Sequence, residues 1–399
     1  MFEQLRVQQY RCFTDLTLDL RAPGPPGSGW TILVGENGTG KTSLLQAVVL
    51  GLLDPRPIAS LLPDAWTLCR QNLPADTVTK ITLTAGTDRR AVKSIHNRRG
   101  EYVAGTPLPQ APLTLAFSAR RRIARPGELP ASENLEVERV RGLFDTDHAL
   151  LMNDAFAGLG SDRERREFAR TFRDVVVHET SSGGGRLFPL VDIELRGREG
   201  ITTSQQLLGK RRFVLRYGEE YRARVAVQEL SDGYQAMLSI VLEILVQASL
   251  ASSTVPVPAE LQAVILIDEL EAHLHPRWQR TVIPLLREIF PRCQFIVTTH
   301  SPLVVAGAEP GEVRVLEVRP VGDVVVDVLE QRLSAVGAEG IFESVFGVPH
   351  SAAPMFVEQE RRYVESLADA RHTPDPELRE LIEQAWADAR TLDPRHDPS

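Results

Sequence analysis

The sequence predicts an α/β protein with a mostly parallel central sheet and a second, antiparallel β lobe. Residues 263–267 are an unbroken apolar run, which is typical of a strand buried on both faces of a parallel sheet, and residues 294–299 are predicted as a second buried strand. Strand-like and helical patterns alternate through the second half of the chain, as they do in parallel α/β folds. The first 35 residues hold three short strand-like runs, which predict the antiparallel lobe.

Each predicted element rests on a local signal. The helix at 41–53 is apolar at helical spacing and follows a glycine-rich turn. Pro276 suits the first turn of a helix at 276–290, and Gly322 with Asp323 predicts a hairpin between the strands on either side. The other strands are predicted at 2–9, 16–20, 30–34, 78–85, 113–118, 188–195, 212–217, 313–318 and 324–329, and the other helices within 132–177, at 231–250 and after 338.

Composition predicts a large hydrophobic core without a membrane segment. The chain has 399 residues, of which 43% are hydrophobic and 25% charged, enough for one composite domain or two ordinary ones. Its longest apolar helix candidate, 234–250, is interrupted by four polar residues, so no membrane span is predicted. The N-terminus lacks the pattern of a secretory signal, and three cysteines without a spacing pattern fit the reducing cytoplasm.

The formal net charge of −8 argues against a protein that wraps nucleic acid over most of its surface. A local basic strip can still act against an acidic background, and the best candidates are Arg120–Arg122 and Arg211–Arg212. The alternative interpretation is that these side chains are solvated or face phosphate. Nucleic acid therefore stays open as a ligand.

A phosphate-binding loop follows the strand at 30–34. Residues 35–42 have the sequence GENGTGKT, which matches GxxxxGK[ST] and lies between a strand and a helix, as this motif requires. Its glycines allow successive backbone N–H groups to face phosphate oxygens, and the helix adds its positive N-terminal end. Lys41 reaches the outer phosphates, and the Thr42 hydroxyl is a ligand for Mg²⁺. The predicted nucleotide-binding residues are Gly35, Asn37, Gly38, Thr39, Gly40, Lys41, Thr42 and Ser43.

Two acidic residues follow the apolar strand at 263–267. Adjacent carboxylates at the end of a buried strand are costly unless they hold a cation. Asp268 is predicted to bind Mg²⁺, and Glu269 is predicted to orient and polarise an attacking water. Surface acids at an ordinary strand end are the alternative, which the phosphate-binding loop in the same chain makes weaker.

A small hydroxyl and a glycine, Ser231 and Gly233, begin the helix that runs to Leu250. This pairing at a helix N-terminus makes an anion-binding site, although a merely capped helix is the alternative. A histidine, His300, follows the strand at 294–299. A lone histidine at a strand end is more often structural than catalytic.

Together these segments resemble the RecF-like, SMC-like and OLD-like branch of ABC-type AAA ATPases, above all the stand-alone ATPases of Septu-type and retron-associated defence systems. The resemblance rests on YRCFTDLTLDL (10–20), ILVGENGTGKTSLL (32–45), ELSDGYQAMLS (229–239), VILIDELEAHLHPRWQ (264–279) and FIVTTHSPLV (295–304), about half of the chain. The segment LSDGYQ departs from the LSGGQ signature because Asp232 replaces the first glycine and Tyr234 replaces the glutamine.

The resemblance implies further roles. The signature residues Ser231 and Gly233 would cover the γ-phosphate bound in a second copy, which implies a homodimer or a higher homo-oligomer. His300 would contact the γ-phosphate or the attacking water as the switch histidine. Arg11 and Phe13 would lie near the base or the phosphates. The loop 271–275 would cross the dimer interface, a role favoured over a metal site at His273 and His275. The glutamine loop would lie at 117–122, where the expected glutamine is missing.

The implied fold is an ABC-type P-loop NTPase with a parallel sheet core, an antiparallel β lobe and an inserted helical subdomain. Residues 1–54 would form the first half of the core with the P-loop, and 55–210 the β lobe with the helical insertion. Residues 211–337 would form the second half of the core, and 338–399 a helical tail. The implied ligands are ATP and Mg²⁺.

The predicted function is that of an ATP-hydrolysing, nucleotide-gated dimer that regulates a separate effector, such as a nuclease, in an anti-phage or toxin-like system. A RecF-like DNA-repair or DNA-binding ATPase is the alternative. A transporter subunit is disfavoured because such subunits have proline after the catalytic acid, where this chain has Leu270. An SMC-like protein is disfavoured because it needs a long coiled coil, for which the roughly 190 residues between Thr42 and Ser231 are too few. Neither a TOPRIM-like acidic cluster nor an HNH pattern follows His300, and a non-catalytic scaffold is disfavoured by Glu269 and His300.

Overall fold

The chain forms two compact units, Met1–Val336 and Gly337–Ser399, and the description below concerns the first. The computed structural model describes residues 2–21, 28–53, 61–62, 65–70, 73–74, 77–85, 89–96, 101–104, 111–123, 134–145, 148–150, 162–176, 190–195, 211–217, 221–225, 232–252, 254–320, 322–331, 333, 341 and 345–346. The tail predicted after 338 lies almost wholly outside these residues. The domain limits at 54, 210 and 337 stay predictions.

The first half of the chain holds most of the antiparallel strands. The strands are β1 (Gln4–Tyr10), β2 (Phe13–Asp19), β3 (Gly29–Gly35), β4 (Val78–Ala85), β5 (Arg89–His96), β6 (Glu101–Ala104), β7 (Leu113–Phe117), β8 (Arg122–Ile123), β9 (Ala149–Leu150), β10 (Leu190–Leu195), β11 (Arg211–Tyr217) and β12 (Tyr221–Val225). The helices here are α1 (Lys41–Leu52), α2 (Leu135–Arg141) and α3 (Asp162–Val176).

The second half alternates helices with parallel strands. It contains α4 (Asp232–Ser252), β13 (Ala263–Ile267), α5 (Pro276–Gln279), α6 (Val282–Ile289), β14 (Gln294–Thr298), α7 (Pro302–Val305), β15 (Val313–Val318) and β16 (Val324–Leu329). Strand–helix alternation of this kind is what the sequence predicts for this region, and the structure confirms it.

The central sheet of the described chain has six strands in the order β16-β15-β3-β14-β13-β7. The five strands from β15 to β7 are parallel, and β16 pairs antiparallel to β15 at the edge. Every residue of β13 and β14 is buried, as the sequence predicts for these two strands. The carboxyl ends of β3, β13 and β14 meet at one edge of the sheet, so the residues that follow these strands lie close together.

A separate antiparallel sheet of the described strands has the order β2-β1-β4-β5-β6, which confirms the predicted β lobe. Helix α1 packs against β4 on one side and against the parallel sheet on the other. The contact with β4 is close at Gly51, where a Cβ atom would lie 3.0 Å from Leu83 Cβ. Helix α1 therefore joins the two sheets directly behind the loop that precedes it.

The helix predicted at 276–290 is broken into α5 and α6. The break comes at 280–281, and Pro284 explains it. A proline has no N–H to donate to the carbonyl four residues earlier, here that of Arg280, and its ring clashes with that carbonyl. Pro284 is instead tolerated in the first turn of α6, so the chain restarts its helix at Val282.

Helix α4 is the buried core helix of this unit. Its segment Gln235–Ser252 is long and apolar enough to cross a membrane by length and composition, but 78% of it is buried inside the protein. Three of its four polar interruptions, Ser239, Glu243 and Gln247, are bonded within the helix or to α2. Ser239 donates to the carbonyls of Gln235 and Ala236, and Gln247 accepts from Arg139 and donates to Glu243.

Glu243 makes the stability of this core dependent on pH. Burial raises the pKa of its carboxyl to about 7, although the hydrogen bond from Gln247 and the charge of Arg139 act in the opposite direction. The pKa in the folded state exceeds that of the unfolded state, so the contribution of Glu243 to stability is full below about pH 4.5 and is lost as the pH rises through about 7. We expect Glu243→Gln to flatten this dependence and to raise the free energy of unfolding at pH 8 by about 1–3 kcal/mol.

The measurement is chemical denaturation of the wild type and the variant between pH 4.5 and 8. The exposed Glu260, replaced with Gln, serves as the control and leaves the wild-type profile unchanged. An identical pH profile for Glu243→Gln and the wild type would show that Glu243 does not titrate in this range.

Candidate functional site

The phosphate-binding loop joins β3 to α1, and its glycines take backbone angles that side chains disfavour. Gly38 and Gly40 have φ of 84° and 90°, in the left-handed region that favours glycine. The Lys41 side chain is 6% exposed and folds back over the loop, where Nζ donates to the carbonyls of Gly35 and Glu36 at 2.8 Å each. The loop therefore holds a nearly buried ammonium group at the N-terminus of α1.

Burial lowers the pKa of Lys41, and the nearby charges of Asp268, Glu271 and Glu269 act in the opposite direction. The lysine thus lies in the field of three carboxylates that all follow β13. A desolvated ammonium of this kind interacts more strongly with a phosphate than a solvated one does.

Asp268 connects the loop to the two central strands. The Thr42 hydroxyl lies 3.0 and 2.9 Å from its two carboxylate oxygens, and the Thr298 hydroxyl donates to Oδ1 at 2.6 Å. The backbone N–H of Asp268 donates to the carbonyl of Phe117 at 2.9 Å, which continues the pairing of β13 with β7. The predicted metal ligands Thr42 and Asp268 are thus in direct contact.

This pair of oxygen donors fits Mg²⁺, which is commonly held by one or two carboxylates together with substrate phosphates and water. A hydroxyl, a carboxylate and an open space beside them are all present. No group of three or more His, Cys, Asp or Glu side chains that could hold a metal ion occurs among the residues that the structure describes.

Glu269 is exposed and has a left-handed backbone, with φ of 46°. Its N–H donates to Thr298 Oγ1 at 2.8 Å, and the N–H of Leu270 donates to the Thr298 carbonyl at 2.9 Å. Thr298 therefore anchors the turn after β13 to the neighbouring strand β14.

The segment after β14 is held by Glu271. Thr299 Oγ1 donates to Glu271 Oε2 and the N–H of His300 donates to Oε1, both at 2.6 Å. A single carboxylate thereby fixes the backbone that positions the half-buried His300. Sequence reasoning placed Glu271 in the interface loop and missed this contact, because it depends on the spacing between two parallel strands.

One cavity of about 380 Å³ collects most of the predicted site residues. It is lined by Arg11, Cys12, Asn37, Gly38, Gly40, Lys41, Thr42, Ser43, Asp268, Glu269, Thr298 and His300. Cys12 and Thr298 were not predicted. Of the predicted loop residues, Gly35 and Thr39 do not line the cavity, and Thr39 Oγ1 donates to the Glu36 carbonyl at 2.9 Å.

Arg11 lies at the mouth of this cavity on the corner between β1 and β2. Its Nη1 donates to Ser43 Oγ at 2.9 Å and to Gln46 Oε1 at 2.5 Å. Phe13, predicted near the base or the phosphates, is instead 1% exposed and does not line the cavity. It packs behind the loop, where a Cβ atom on Gly40 would lie 2.5 Å from Phe13 Cζ.

The signature helix lies away from this cavity. Gly233 is buried against the loop at 273–275, and a Cβ atom there would lie 2.8 Å from the His273 carbonyl oxygen. Ser231 lies outside the described residues. The structure therefore does not bring the described part of the signature to the cavity of its own chain.

The basic run Arg120–Arg122 is not the exposed strip that the sequence suggested. Arg121 is 6% exposed, its hydrogen bonds to the described residues go to backbone carbonyls, and it does not line the described cavity. Arg120 is exposed. The side chains of Arg122, Arg211 and Arg212 lie outside the described residues.

Comparison with known proteins agrees with this geometry. Residues 118–306 match the family model described as "AAA domain, putative AbiEii toxin, Type IV TA system", and residues 4–94 match a second model described as "AAA domain". The two matches together contain every residue that lines the cavity. The chain carries an AAA-type ATPase domain. Its acidic strand end and histidine lie within the first match, and its phosphate loop lies within the second.

The relatives of this AAA domain include a Septu protein and a retron ATPase. Septu protein PtuA of Bacillus mycoides (strain KBAB4) is 24% identical over 330 residues, which are 79% of this chain and 40% of PtuA. The Retron Ec83 probable ATPase of Escherichia coli is 40% identical over 80 residues, which are 20% of this chain and 15% of that protein. The chain thus spans less than half the length of either relative.

Among solved structures, an SMC head bound to the C-terminal winged-helix domain of ScpA is 15% identical, with a TM-score of 0.47. The match covers 84% of this chain and 98% of that one. The assignment of the fold rests on the strand order and on the phosphate loop described above.

Proposed function

We propose that this AAA-domain protein binds ATP with Mg²⁺ and hydrolyses it, and that it works as a nucleotide-gated dimer. The observation that supports this best is the cavity that gathers Lys41, Thr42, Asp268, Glu269 and His300. These five side chains come from three separate segments of the chain, and only the parallel pairing of β3, β14 and β13 brings them together.

Each side chain has one task in this proposal. Lys41 and the loop N–H groups bind the outer phosphates of ATP, and Thr42 and Asp268 hold the metal ion. When bound, Mg²⁺ neutralises charge on the phosphate oxygens. Glu269 accepts a proton from water as the water oxygen bonds to the γ-phosphorus and the bond from that phosphorus to the bridging β-phosphate oxygen breaks. His300 contacts the γ-phosphate or the attacking water. The products are ADP and phosphate.

The dimer is part of the proposal because one chain does not complete the site. Gly233 of the signature lies at the loop 273–275 rather than at the cavity, and Glu269 is exposed at the cavity mouth. A second copy whose signature covered this mouth would supply the missing anion-binding helix end. ATP would then stabilise the closed pair, and hydrolysis would release it.

The proposed biological role is that of a sensor or regulatory subunit that controls a separate effector, such as a nuclease, in an anti-phage or toxin-like system. This role is supported by the resemblance to Septu protein PtuA and the retron ATPases and by the AbiEii-type family match. The geometry of the cavity supports the ATPase chemistry, and the relatives support the role.

Complementation between two inactive variants tests the shared site. Lys41→Ala removes the phosphate-binding ammonium, and Ser231→Arg blocks the signature side. Each variant alone is expected to lose ATP turnover. In an equal mixture, half of the dimers pair the two variants and hold one complete site of two, so we expect about a quarter of the wild-type turnover.

Phosphate release measured across the mixing ratio gives the result. Normal turnover by Ser231→Arg alone would contradict a site shared between copies. The same conclusion would follow if the mixture stayed as inactive as its components while both variants remained folded.

A further inference from the structure

Arg121 reaches from the segment after β7 to the turn that carries Glu269. Its guanidinium is buried, with Nη1 donating to the Ala272 carbonyl at 3.0 Å. Nη2 donates to the Glu269 carbonyl at 2.6 Å and lies 3.3 Å from the Asp268 carbonyl. All three acceptors belong to the turn after β13, so one side chain holds three points of that turn.

These contacts flank a strained residue. Glu269 has φ of 46°. A residue other than glycine adopts this angle at a cost of about 1–3 kcal/mol, and it stays there because the surrounding structure holds it. The carbonyls of residues 268 and 269 lie on either side of the Glu269 Cα, and their directions follow from its backbone angles. A nitrogen bonded to both carbonyls fixes these angles, and hence the direction in which the Glu269 side chain leaves the backbone.

The chemistry of Arg121 is poorly suited to a mere packing role. Burial lowers the pKa of its guanidinium to about 10, with Glu271, Asp268 and Glu269 acting in the opposite direction, so it is charged at neutral pH. Its buried Nε has no hydrogen-bond partner among the described residues. A buried charge with an unsatisfied donor stabilises a fold less than a well-packed apolar side chain does.

We propose that Arg121 is a positioning residue for hydrolysis, which acts by holding the turn 268–272 so that Glu269 faces the cavity. This inference rests on the proposed ATPase function. Arg121 does not itself line the cavity among the described residues and is not expected to touch ATP. It lies in the segment where the sequence predicts the glutamine loop, and it acts on the catalytic turn rather than on the nucleotide.

The chain offers a matched control in Arg314. This arginine is 3% exposed and, like Arg121, donates to backbone carbonyls alone among the described residues, those of Asp19, Gly311, Val313 and Arg21. It lies on β15, away from the turn after β13. Replacing either arginine with Met removes a buried guanidinium and keeps most of the side-chain volume, but only Arg121→Met releases the catalytic turn.

We expect Arg121→Met to lower kcat by about a hundredfold, since a misplacement of about 1 Å costs roughly this much. The dissociation constant for ATP is expected to stay at the wild-type value. Amide hydrogen exchange over 268–274 is expected to become faster in Arg121→Met and to stay unchanged in Arg314→Met. Arg121→Lys keeps the charge and part of the bonding, so its kcat is expected to lie between the two.

A double-mutant cycle with Glu269→Gln separates positioning from a general structural effect. If Arg121 acts through Glu269, Arg121→Met leaves the residual single-turnover rate of the Glu269→Gln protein unchanged. An equal loss of rate in both backgrounds would overturn the proposal, as would wild-type exchange over 268–274 in Arg121→Met. If Arg121→Met does not fold, the same measurements on Arg121→Lys decide the matter.

The exchange measurement also separates this inference from the proposed function. If the wild type releases no phosphate from ATP, the proposed function fails, whereas exchange over 268–274 still shows whether Arg121 holds the turn. If the wild type hydrolyses ATP and Arg121→Met matches its kcat, the inference about Arg121 fails alone.

Discussion

Glu269→Gln is expected to lower ATP turnover by about a thousandfold while ATP stays bound, because general base catalysis contributes about 10²–10⁴-fold. The amide keeps the shape of the side chain and loses its ability to accept a proton. The phosphate-binding contacts of Lys41 and the donors around Asp268 are unaffected, so the affinity for ATP is retained. Phosphate release and equilibrium ATP binding, measured on the same preparation, give the two values.

The same variant also tests the gating cycle. If closure needs ATP and opening needs hydrolysis, Glu269→Gln with ATP and Mg²⁺ accumulates as a dimer. Light-scattering mass with and without ATP and Mg²⁺ detects this change. An unchanged mass would mean a constitutive oligomer or a nucleotide that serves only as a structural ligand.

Glu36→Gln is the matched control for Glu269→Gln. Glu36 is an exposed carboxylate within the phosphate loop, but its side chain does not line the described cavity. Its replacement is expected to leave both turnover and mass unchanged. A loss of turnover in Glu36→Gln equal to that in Glu269→Gln would show that the effect comes from the net charge near the loop rather than from a base.

The parts of the site that the sequence predicted consist of residues that are contiguous in the chain. The phosphate loop at 35–42 and the acids at 268–269 each stand at the end of an apolar strand, and parallel strands place such ends at one edge of a sheet. This is why Lys41, Thr42, Asp268 and His300 were predicted together and lie together.

The parts that the sequence did not predict depend on contacts between distant segments. Glu271 holds the backbone N–H of His300, and the bonds from Arg121 to described residues go to backbone carbonyls, so neither contact leaves a residue-type signal in its partner. Phe13 was placed near the nucleotide by the family resemblance, but Arg11, in the turn between β1 and β2, lines the cavity, whereas Phe13 begins β2 and is buried. The break before α6 could have been predicted, since Pro284 was visible in the sequence.

Phe13 packs against the phosphate loop at Gly40. We therefore expect a large loss of ATP affinity when Gly40 is replaced with alanine. Gly40 has φ of 90° and ψ of 17°, and an added Cβ would lie 2.5 Å from Phe13 Cζ and 2.7 Å from Cys12 Sγ. Phe13 is buried and stacked on Tyr10, with parallel rings 6.4 Å apart, so it has little room to move. Gly40→Ala must therefore shift the loop itself.

Gly40→Ala has two costs, left-handed backbone strain and overpacking, and the matched variant Gly322→Ala separates them. It has φ of 83°, but an added Cβ would meet nothing within 4 Å, and it lies in the β15–β16 hairpin. Gly322→Ala is expected to lose only the roughly 1–2 kcal/mol of left-handed strain in its free energy of unfolding. Gly40→Ala is expected to lose this amount and a further 1–3 kcal/mol or so from overpacking.

The functional consequence is expected for Gly40→Ala alone. A shifted loop withdraws the Lys41 ammonium and the loop N–H groups from the phosphates, and each hydrogen bond to a charged group contributes about 1.5–3 kcal/mol. Loss of two such bonds lowers the affinity for ATP by at least about a hundredfold. Titration of a fluorescent ATP analogue, together with chemical denaturation, measures both effects. Wild-type affinity in Gly40→Ala would show that Phe13 and Cys12 yield to the added methyl group, and that the rigidity of β2 does not hold the phosphate loop in place.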